Sequence, residues 1–218
     1  MKIIAPIVGA LSILLAIALP ASGHQPRLVG REERVEVTNP EISQAFYATL
    51  QGEPHTYLVE ASDQFLLYVS LLVPDLEMAR TDFVLTLHRI GQDGGEEFLY
   101  HLDGKKHEWT QFYEPFGGDS YLEGPEREDV VSPGEYRIVV SNPDDQGKYV
   151  LSVGREESFG FGEMVATMRR MPQVKQFFEK SPWLAFFNMI GLAILVAVLI
   201  LAGGIWGLWW LGRRVLKR

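Results

Sequence analysis

The chain has 218 residues, of which 47% are hydrophobic and 22% charged, and it contains no cysteine. Its composition therefore excludes disulfides, thiol redox chemistry, a cysteine nucleophile and cysteine-ligated zinc. The formal net charge is −8 at pH 7, and residues 24–182 are more acidic still, because they hold all 28 acidic residues and all but five of the 20 basic ones. Such a segment is a poor long-range partner for nucleic acid or anionic lipid.

Residues 1–23 have the composition of a secretory signal peptide. Lys2 precedes an uncharged apolar run over residues 3–19, and Pro20 and the small-residue triplet 21–23 follow. Small residues at the first and third places of such a triplet are typical of a signal-peptidase site. We therefore expect cleavage after the triplet and export of the residues that follow. An uncleaved N-terminal anchor is the alternative.

In the predicted exported domain, residues 24–157, apolar residues alternate with polar ones between residues 30 and 155, as they do in strands that are buried on one face. The clearest example is GEYRIVVSNPDDQGKYVLSVG, which predicts a hairpin with Asn142, Pro143 and Gly147 in its turn. Tyr136, Ile138 and Val140 form the apolar face of its first strand, and Tyr149, Leu151 and Val153 that of its second. About eight such strands predict an all-β fold, an antiparallel, jelly-roll-like β-sandwich.

Two protein families share parts of this pattern. The stretch from His55 to Leu87 and the closing GEYRIVVSN and GKYVLSVG strands resemble the bacterial pre-peptidase C-terminal type of β-sandwich. The order of segments is similar to that of the GOLD-domain cargo receptors: a signal peptide, an acidic sandwich, a juxtamembrane helix, one membrane span and a short basic tail. Domains of that type carry a disulfide that this chain lacks. Both resemblances imply a non-catalytic binding or accessory domain.

Residues 158–182 change to a helical pattern. Apolar side chains recur every three or four positions, at Met164, Met168, Met171, Val174 and Phe178. Basic residues lie between them, which predicts one amphipathic juxtamembrane helix, or two helices divided at Pro172. We expect this segment to pack on the sandwich or to lie on the bilayer surface. A methionine-rich groove for a partner helix is the alternative.

Residues 183–212 carry no charged side chain, and about 20 apolar residues suffice for a helix to cross a bilayer. Tryptophans, which prefer the membrane interface, stand at both ends of this run. The basic tail 213–218 follows. Together with an exported N-terminus, this predicts a single-pass protein of the cytoplasmic membrane, with lipid as a partner, the sandwich outside and the C-terminus in the cytoplasm.

The predicted mature chain begins HQPRLVG. An N-terminal His24 offers an amine and an imidazole nitrogen, which together can chelate Cu(II). This start resembles that of exported copper proteins of the copper-resistance type and of histidine-brace oxygenases. Such a site needs a second histidine, for which the candidates are His55, His88, His101 and His107.

Residues 112–129, FYEPFGGDSYLEGPERED, combine carboxylates and aromatic rings with turn-forming glycine and proline. We expect a long ordered loop with a binding role. Carboxylates are ligands for calcium, and the calcium candidates are Asp119, Glu123 and Glu126. The candidates for contact with a carbohydrate or protein ligand are Tyr113, Phe116 and Tyr121. A solvated acidic loop, with aromatic rings that cap the core, is the alternative.

Small residues recur in the predicted span, at Ala193, Ala197, Gly203, Gly204 and Gly207. Gly203 and Gly207 form a GxxxG pair, a spacing that lets two helices approach closely, so the span is a candidate for self-association.

The sequence contains no GxSxG, HExxH, Walker or dinucleotide-binding motif. We therefore predict a membrane-anchored, non-enzymatic binding or accessory module outside the cytoplasm, without a required cofactor. A copper-binding protein that uses His24, or a structural subunit of a membrane complex, is the alternative.

Overall fold

A computed structural model describes residues 24–30, 34–158, 160–187 and 189–215. The predicted signal peptide, residues 1–23, and the end of the basic tail, residues 216–218, lie outside the described residues. The described chain forms eleven β-strands and two α-helices. They are β1 (Gln25–Leu28), β2 (Arg34–Val37), β3 (Gln44–Gln51), β4 (His55–Ala61), β5 (Phe65–Pro74), β6 (Val84–Ile90), β7 (Glu96–Asp103), β8 (Thr110–Glu114), β9 (Asp119–Val131), β10 (Gly134–Ser141), β11 (Gln146–Val153), α1 (Phe161–Phe177) and α2 (Met189–Val215).

The strands form two sheets. Sheet A has the order β1-β3-β11-β5-β9-β8, and sheet B has the order β2-β4-β10-β6-β7. The predicted all-β sandwich is confirmed, with two corrections. Two strand pairs, β1 with β3 and β2 with β4, are parallel. Eleven strands are present rather than about eight, because β1 and β2 are too short to show a period and β9 occupies much of the predicted loop.

The core lies between the inner faces of the two sheets. The predicted inward faces of β10 and β11 are both buried there, since Tyr136, Ile138 and Val140, and Tyr149, Leu151 and Val153, all belong to one buried cluster. Full burial of one such side chain stabilises the folded state by roughly 1.5–3 kcal/mol. The alternation that predicted the strands therefore also supplies their packing energy.

Polar groups inside the core are hydrogen-bonded to one another. The Tyr149 hydroxyl lies 2.8 Å from the Tyr57 hydroxyl and 2.9 Å from Nδ1 of His55. Burial raises the pKa of both tyrosines above the ordinary value. These hydroxyls therefore remain neutral and act as internal hydrogen-bonding groups, which offsets the cost of desolvating them.

The Trp109 indole packs against the edge of the core, in the space left by Gly104 and Gly124. Its Nε1 donates to the carbonyl oxygen of Gly104 at 2.8 Å. A Cβ built on Gly124 would overlap the indole ring and would lie 2.8 Å from the carbonyl oxygen of Leu71. A residue without a side chain is therefore required where Trp109 crosses β9.

Helix α1 covers part of the outer face of sheet A. It runs through Pro172 as a single helix, so the first of the two predicted arrangements is the one present. Its Val174, with Phe178 just beyond its end, is buried against sheet residues that include Tyr47 and Tyr121. The predicted amphipathic segment thus packs on the sandwich, and Met164 at its start is exposed.

The segment after α1 contains a 3₁₀ helix, Pro182–Phe186, followed by α2. Among the residues that the structure describes, we find no helix that is both long and apolar enough to cross a membrane. The predicted span over residues 183–212 therefore stays a prediction. Several side chains of α2 lie outside the description, among them those of residues 189, 190, 192–194 and 197.

We predict that Gly124→Ala destabilises the protein by about 1–3 kcal/mol, because the added methyl group must displace the Trp109 indole from a packed site. Urea unfolding of the full chain in mild detergent, followed by near-ultraviolet circular dichroism, measures the change. Gly30→Ala is the matched control, because a methyl group there would meet no atom of the described residues within 4 Å. Equal stability of the two variants would contradict this role of Gly124.

Candidate functional site at the junction of sandwich and helix

Lys175 is a cation on the buried side of α1. Its side chain is 2% exposed and that of Asp119 on β9 is 1% exposed. The Lys175 ammonium donates to Oδ2 of Asp119 at 2.7 Å and also to the carbonyl oxygen of Gly117. A buried ammonium is tolerated only where a counter-charge and hydrogen-bond acceptors replace its water.

A second lysine binds the other oxygen of the same carboxylate. The Lys180 ammonium, three residues beyond the end of α1, donates to Oδ1 of Asp119 at 2.8 Å and to the carbonyl oxygen of Gly118 at 3.2 Å. Each oxygen of Asp119 thus accepts one charge-assisted hydrogen bond, the stronger kind of hydrogen bond in proteins. We call Asp119, Lys175 and Lys180 the charge clamp.

The turn between β8 and β9 presents the acceptors of the charge clamp. The Glu114 carboxylate accepts hydrogen bonds from the backbone N–H groups of Phe116 and Gly117, each at 2.6 Å. Gly118 closes the turn with a φ of 76°, in the left-handed region that glycine adopts without strain. The carbonyl oxygens of Gly117 and Gly118 accept from Lys175 and Lys180.

Burial affects the acid at the base of this turn. Desolvation raises the pKa of Glu114, against the opposing effect of the two backbone N–H donors. The nearby Tyr47 and Tyr121 hydroxyls lie 2.7 Å apart, and burial raises the pKa of both. The surroundings of the charge clamp are therefore of low polarity, where charged hydrogen bonds are strong and unpaired charges costly.

The first turn of α1 is attached to the sandwich by a separate charged contact. The Glu163 carboxylate accepts from Arg27 of β1 at 2.6 Å and from Arg170 at 3.0 Å. Desolvation acts to raise the pKa of Glu163, but the two guanidinium groups outweigh it and the pKa is lowered. Helix α1 is thus held at both ends, by β1 at its start and by the β8–β9 turn at its end.

The predicted loop over residues 112–129 is a β-hairpin, and this separates the calcium candidates. Asp119 and Glu123 lie four residues apart on β9, which is about 13 Å along an extended strand. Asp119 is occupied by the lysines, and Glu126 accepts from the Tyr68 hydroxyl at 2.6 Å. Within the described residues, no three His, Asp or Glu side chains are placed to hold a metal ion.

The three aromatic candidates of the same segment do not share a surface. Tyr113 is exposed on the edge strand β8, whereas Tyr121 is buried under α1. Phe116 is half-buried in the turn. Because β8 and β9 pair with Phe112 opposite Tyr121, Tyr113 falls on the other face of the hairpin. The structure therefore divides the predicted aromatic platform between the two faces.

The structure places the histidines on separate elements. His24 lies 2.5 Å, through Nδ1, from the Ser43 hydroxyl, and desolvation of its ring lowers its pKa. His55 is in the core, His88 and His101 both lie beside Phe98, and His107 lies beside Trp109. In the described chain none of these contacts joins His24 to another histidine, so the structure gives the copper hypothesis no support.

Three of the small residues predicted for helix association lie in α2 with open space around them in the described part of the chain. Apart from the backbone of α2 itself, a Cβ added at Gly203, Gly204 or Gly207 would meet no described atom within 4 Å. The side chains of Ala193 and Ala197 lie outside the description. Association through this part of the chain stays a prediction.

The amphipathic pattern of residues 158–182 includes Lys175 only as one of the basic residues between the apolar positions, and the structure shows that it is buried. A signal was present, because position 175 is four residues after Met171 and three before Phe178, on the same face of the helix. Met171 and Phe178 are both buried. A cation at such a position indicates a buried acidic partner, which is Asp119.

The fold and this junction define a class of protein: a β-sandwich of two sheets whose outer face is covered by a helix attached through buried charges. No family model matches the chain, and no curated protein matches it.

Solved structures that match are only loosely similar. The pre-peptidase C-terminal domain of collagenase from Bacillus anthracis is 9% identical, with a TM-score of 0.32, over 61% of this chain and 95% of that one. The Yersinia pseudotuberculosis-derived mitogen is 15% identical, with a TM-score of 0.36, over 56% of this chain and 92% of that one. The loose resemblance to pre-peptidase C-terminal domains is confirmed, and scores this low carry no argument about activity.

We predict that Asp119→Asn destabilises the protein by about 3–5 kcal/mol, because it leaves the buried Lys175 ammonium without its counter-charge. Asp129→Asn, the same change further along β9, removes only a surface pair with Arg127 and should cost less than about 1 kcal/mol. Adding Lys175→Met to Asp119→Asn should recover part of the loss. Urea unfolding measures all three, and similar losses for the two single variants would exclude a special role for the charge clamp.

The raised pKa of Glu114 predicts a pH dependence with a definite sign. Because the folded protein binds this proton more tightly than the unfolded chain, the contribution of Glu114 is fully present below the unfolded pKa of about 4.5 and is lost as the pH rises through the folded pKa. Glu114→Gln should therefore reduce the decline of unfolding free energy above pH 4.5. An unchanged slope in urea titrations at several pH values would show that Glu114 titrates normally.

Proposed function

We propose that this protein is a membrane-anchored, non-enzymatic accessory or binding module, whose sandwich is held in a set orientation outside the cytoplasmic membrane. The observation that carries the proposal is the charge clamp, which attaches the chain leading to the predicted anchor directly to the sandwich. A flexible connection between the sandwich and the anchor does not require a buried Lys175. A fixed orientation of the sandwich does require a defined attachment, which this ion pair provides.

The connection between α1 and the following segment is short and is held by backbone hydrogen bonds. Beyond the last turn of α1, Glu179 adopts a φ of 57°, and the Lys180 N–H donates to the carbonyl oxygen of Lys175 at 2.9 Å. Ser181 then leads directly into the 3₁₀ helix Pro182–Phe186. The direction in which the chain leaves the sandwich is therefore set by hydrogen bonds within a few residues.

The apolar surface of α2 supports a lipid partner. Many of its large side chains are exposed, namely Leu195, Val198, Leu199, Leu201, Ile205, Trp206, Trp209 and Trp210. An apolar surface of this extent requires a cover, because soluble proteins rarely leave large contiguous apolar patches in water. The uncharged run 183–212 and the basic residues after it agree with a bilayer as that cover.

The outer face of sheet B is the surface we propose for a protein or carbohydrate partner. It lies on the side of the sandwich opposite α1, which covers sheet A. A groove of about 500 Å³ on this face is lined by Arg34, Leu58, Ile90 and Arg137, among others. Because α1 packs on sheet A, the outer face of sheet B points away from the helix and is open to a partner.

The anchor and its orientation are tested with single cysteines, since the natural chain has none. We expect the full chain to stay in the membrane pellet after alkaline carbonate extraction. In spheroplasts, a membrane-impermeant maleimide should label Met78→Cys, at an exposed position of the sandwich, but not Lys217→Cys in the tail, until detergent is added.

The matched control for insertion is a variant with Leu195→Arg and Leu199→Arg, which places two charges in the exposed apolar surface of α2. This variant should be released by carbonate. Release of the unmodified chain, or labelling of the tail in intact spheroplasts, would contradict the proposal.

A further inference from the structure

Four large apolar side chains stand exposed between the charge clamp and α2. They are Trp183, Leu184, Phe186 and Phe187, and we call them the collar. Trp183 is 74% exposed and Phe187 is 82% exposed, although both follow closely on residues that are packed against the sandwich. Their exposure is costly in water and calls for an apolar or interfacial partner.

The backbone of this segment holds the collar in a defined shape. The Leu184 N–H donates to the carbonyl oxygen of Ser181 at 3.0 Å, and the Phe187 N–H donates to that of Leu184 at 3.1 Å. With three residues per turn, Trp183 and Phe186 fall on one side, where their ring centroids are 6.3 Å apart. Ala185 is turned inward and buried, so the apolar side chains are directed outward.

The collar lies within reach of the hairpin turn. Lys180, three residues before Trp183, donates to Gly118 and to Asp119. The β8–β9 turn and the collar are thereby held at the same end of the molecule.

We infer that the collar inserts into the headgroup region of a lipid bilayer and seats the clamped end of the sandwich against the membrane surface. This inference rests on the proposed membrane anchor, because the collar leads without a charged residue into the apolar run. Tryptophan and other aromatic residues favour this depth, where their rings replace interfacial water. The collar side chains offer a single polar group, the Trp183 indole N–H, which suits the boundary between headgroups and acyl chains.

Depth-dependent quenching in reconstituted vesicles tests the inference. The full chain carries one cysteine, labelled with an environment-sensitive nitrobenzoxadiazole dye, in phosphatidylcholine vesicles that contain a nitroxide either near the headgroup or deep in the acyl chain. Phe187→Cys reports on the collar, Leu199→Cys on the middle of α2, and Gln64→Cys on an exposed position of the sandwich just before β5, at the end of that strand opposite to Pro74, which pairs with Tyr121 near the charge clamp.

We expect the dye at position 187 to lose most fluorescence to the shallow nitroxide, the dye at 199 to the deep one, and the dye at 64 to neither. If position 187 behaves like position 64 while 199 is quenched deeply, the collar inference is wrong and the anchor stands. Stronger deep than shallow quenching at 187 also overturns it, because the collar would then be part of the span. No quenching at 199 would refute the anchor and the collar together.

A collar variant gives a second readout. Trp183→Ser combined with Phe187→Ser removes the two most exposed rings and leaves α2 unchanged, so carbonate resistance should persist. A dye at Pro115→Cys, in the hairpin turn, should be quenched by the shallow nitroxide in the natural background and should lose that quenching in the collar variant. Retained quenching would show that the collar does not seat the sandwich.

Discussion

The architecture of this protein depends on one buried carboxylate, that of Asp119, which binds the buried ammonium group of Lys175 and the partly exposed one of Lys180. A buried ion pair contributes little net stability, because the cost of removing its charges from solvent offsets most of the attraction between them. Its geometry is nevertheless demanding, since any displacement of the helix leaves a desolvated charge unpaired. The pair therefore selects one position of α1 on sheet A, and apolar packing around Val174 and Phe178 supplies the stability.

The same interaction connects the sandwich core and helix α1, which otherwise belong to separate apolar clusters. The sandwich core is complete without α1, because the cluster between the sheets contains no residue of that helix. The contacts of α1 lie on the outer face of sheet A, in a second and smaller cluster. The charge clamp joins the end of α1 to the sandwich, and the contact between Glu163 and Arg27 joins its start. The sandwich and the helix therefore form one unit.

The sequence predicted those parts of the fold that follow from a local period. Alternation identified β10 and β11 with their inward faces, and the spacing of Met171, Val174 and Phe178 identified the packed side of the helix. The sequence predicts a loop where the long strand β9 lies, because Gly124 and Pro125 interrupt the period of the strand and its carboxylates resemble a ligand set. The charge clamp could not be read from the sequence, because Asp119 and Lys175 are 56 residues apart and only the tertiary fold brings them together.

The contact between Arg27 and Glu163 spans 136 residues, and it joins the first described strand to the helix that follows the last one. Strand β1 also pairs in parallel with β3, a pairing that needs a crossover rather than a tight turn. Contacts so distant in sequence form late in folding, since the intervening chain must first be ordered. Tyr47 and Tyr121 on the outer face of sheet A therefore stay uncovered until α1 packs, and during that interval this apolar face is open to contact with other chains.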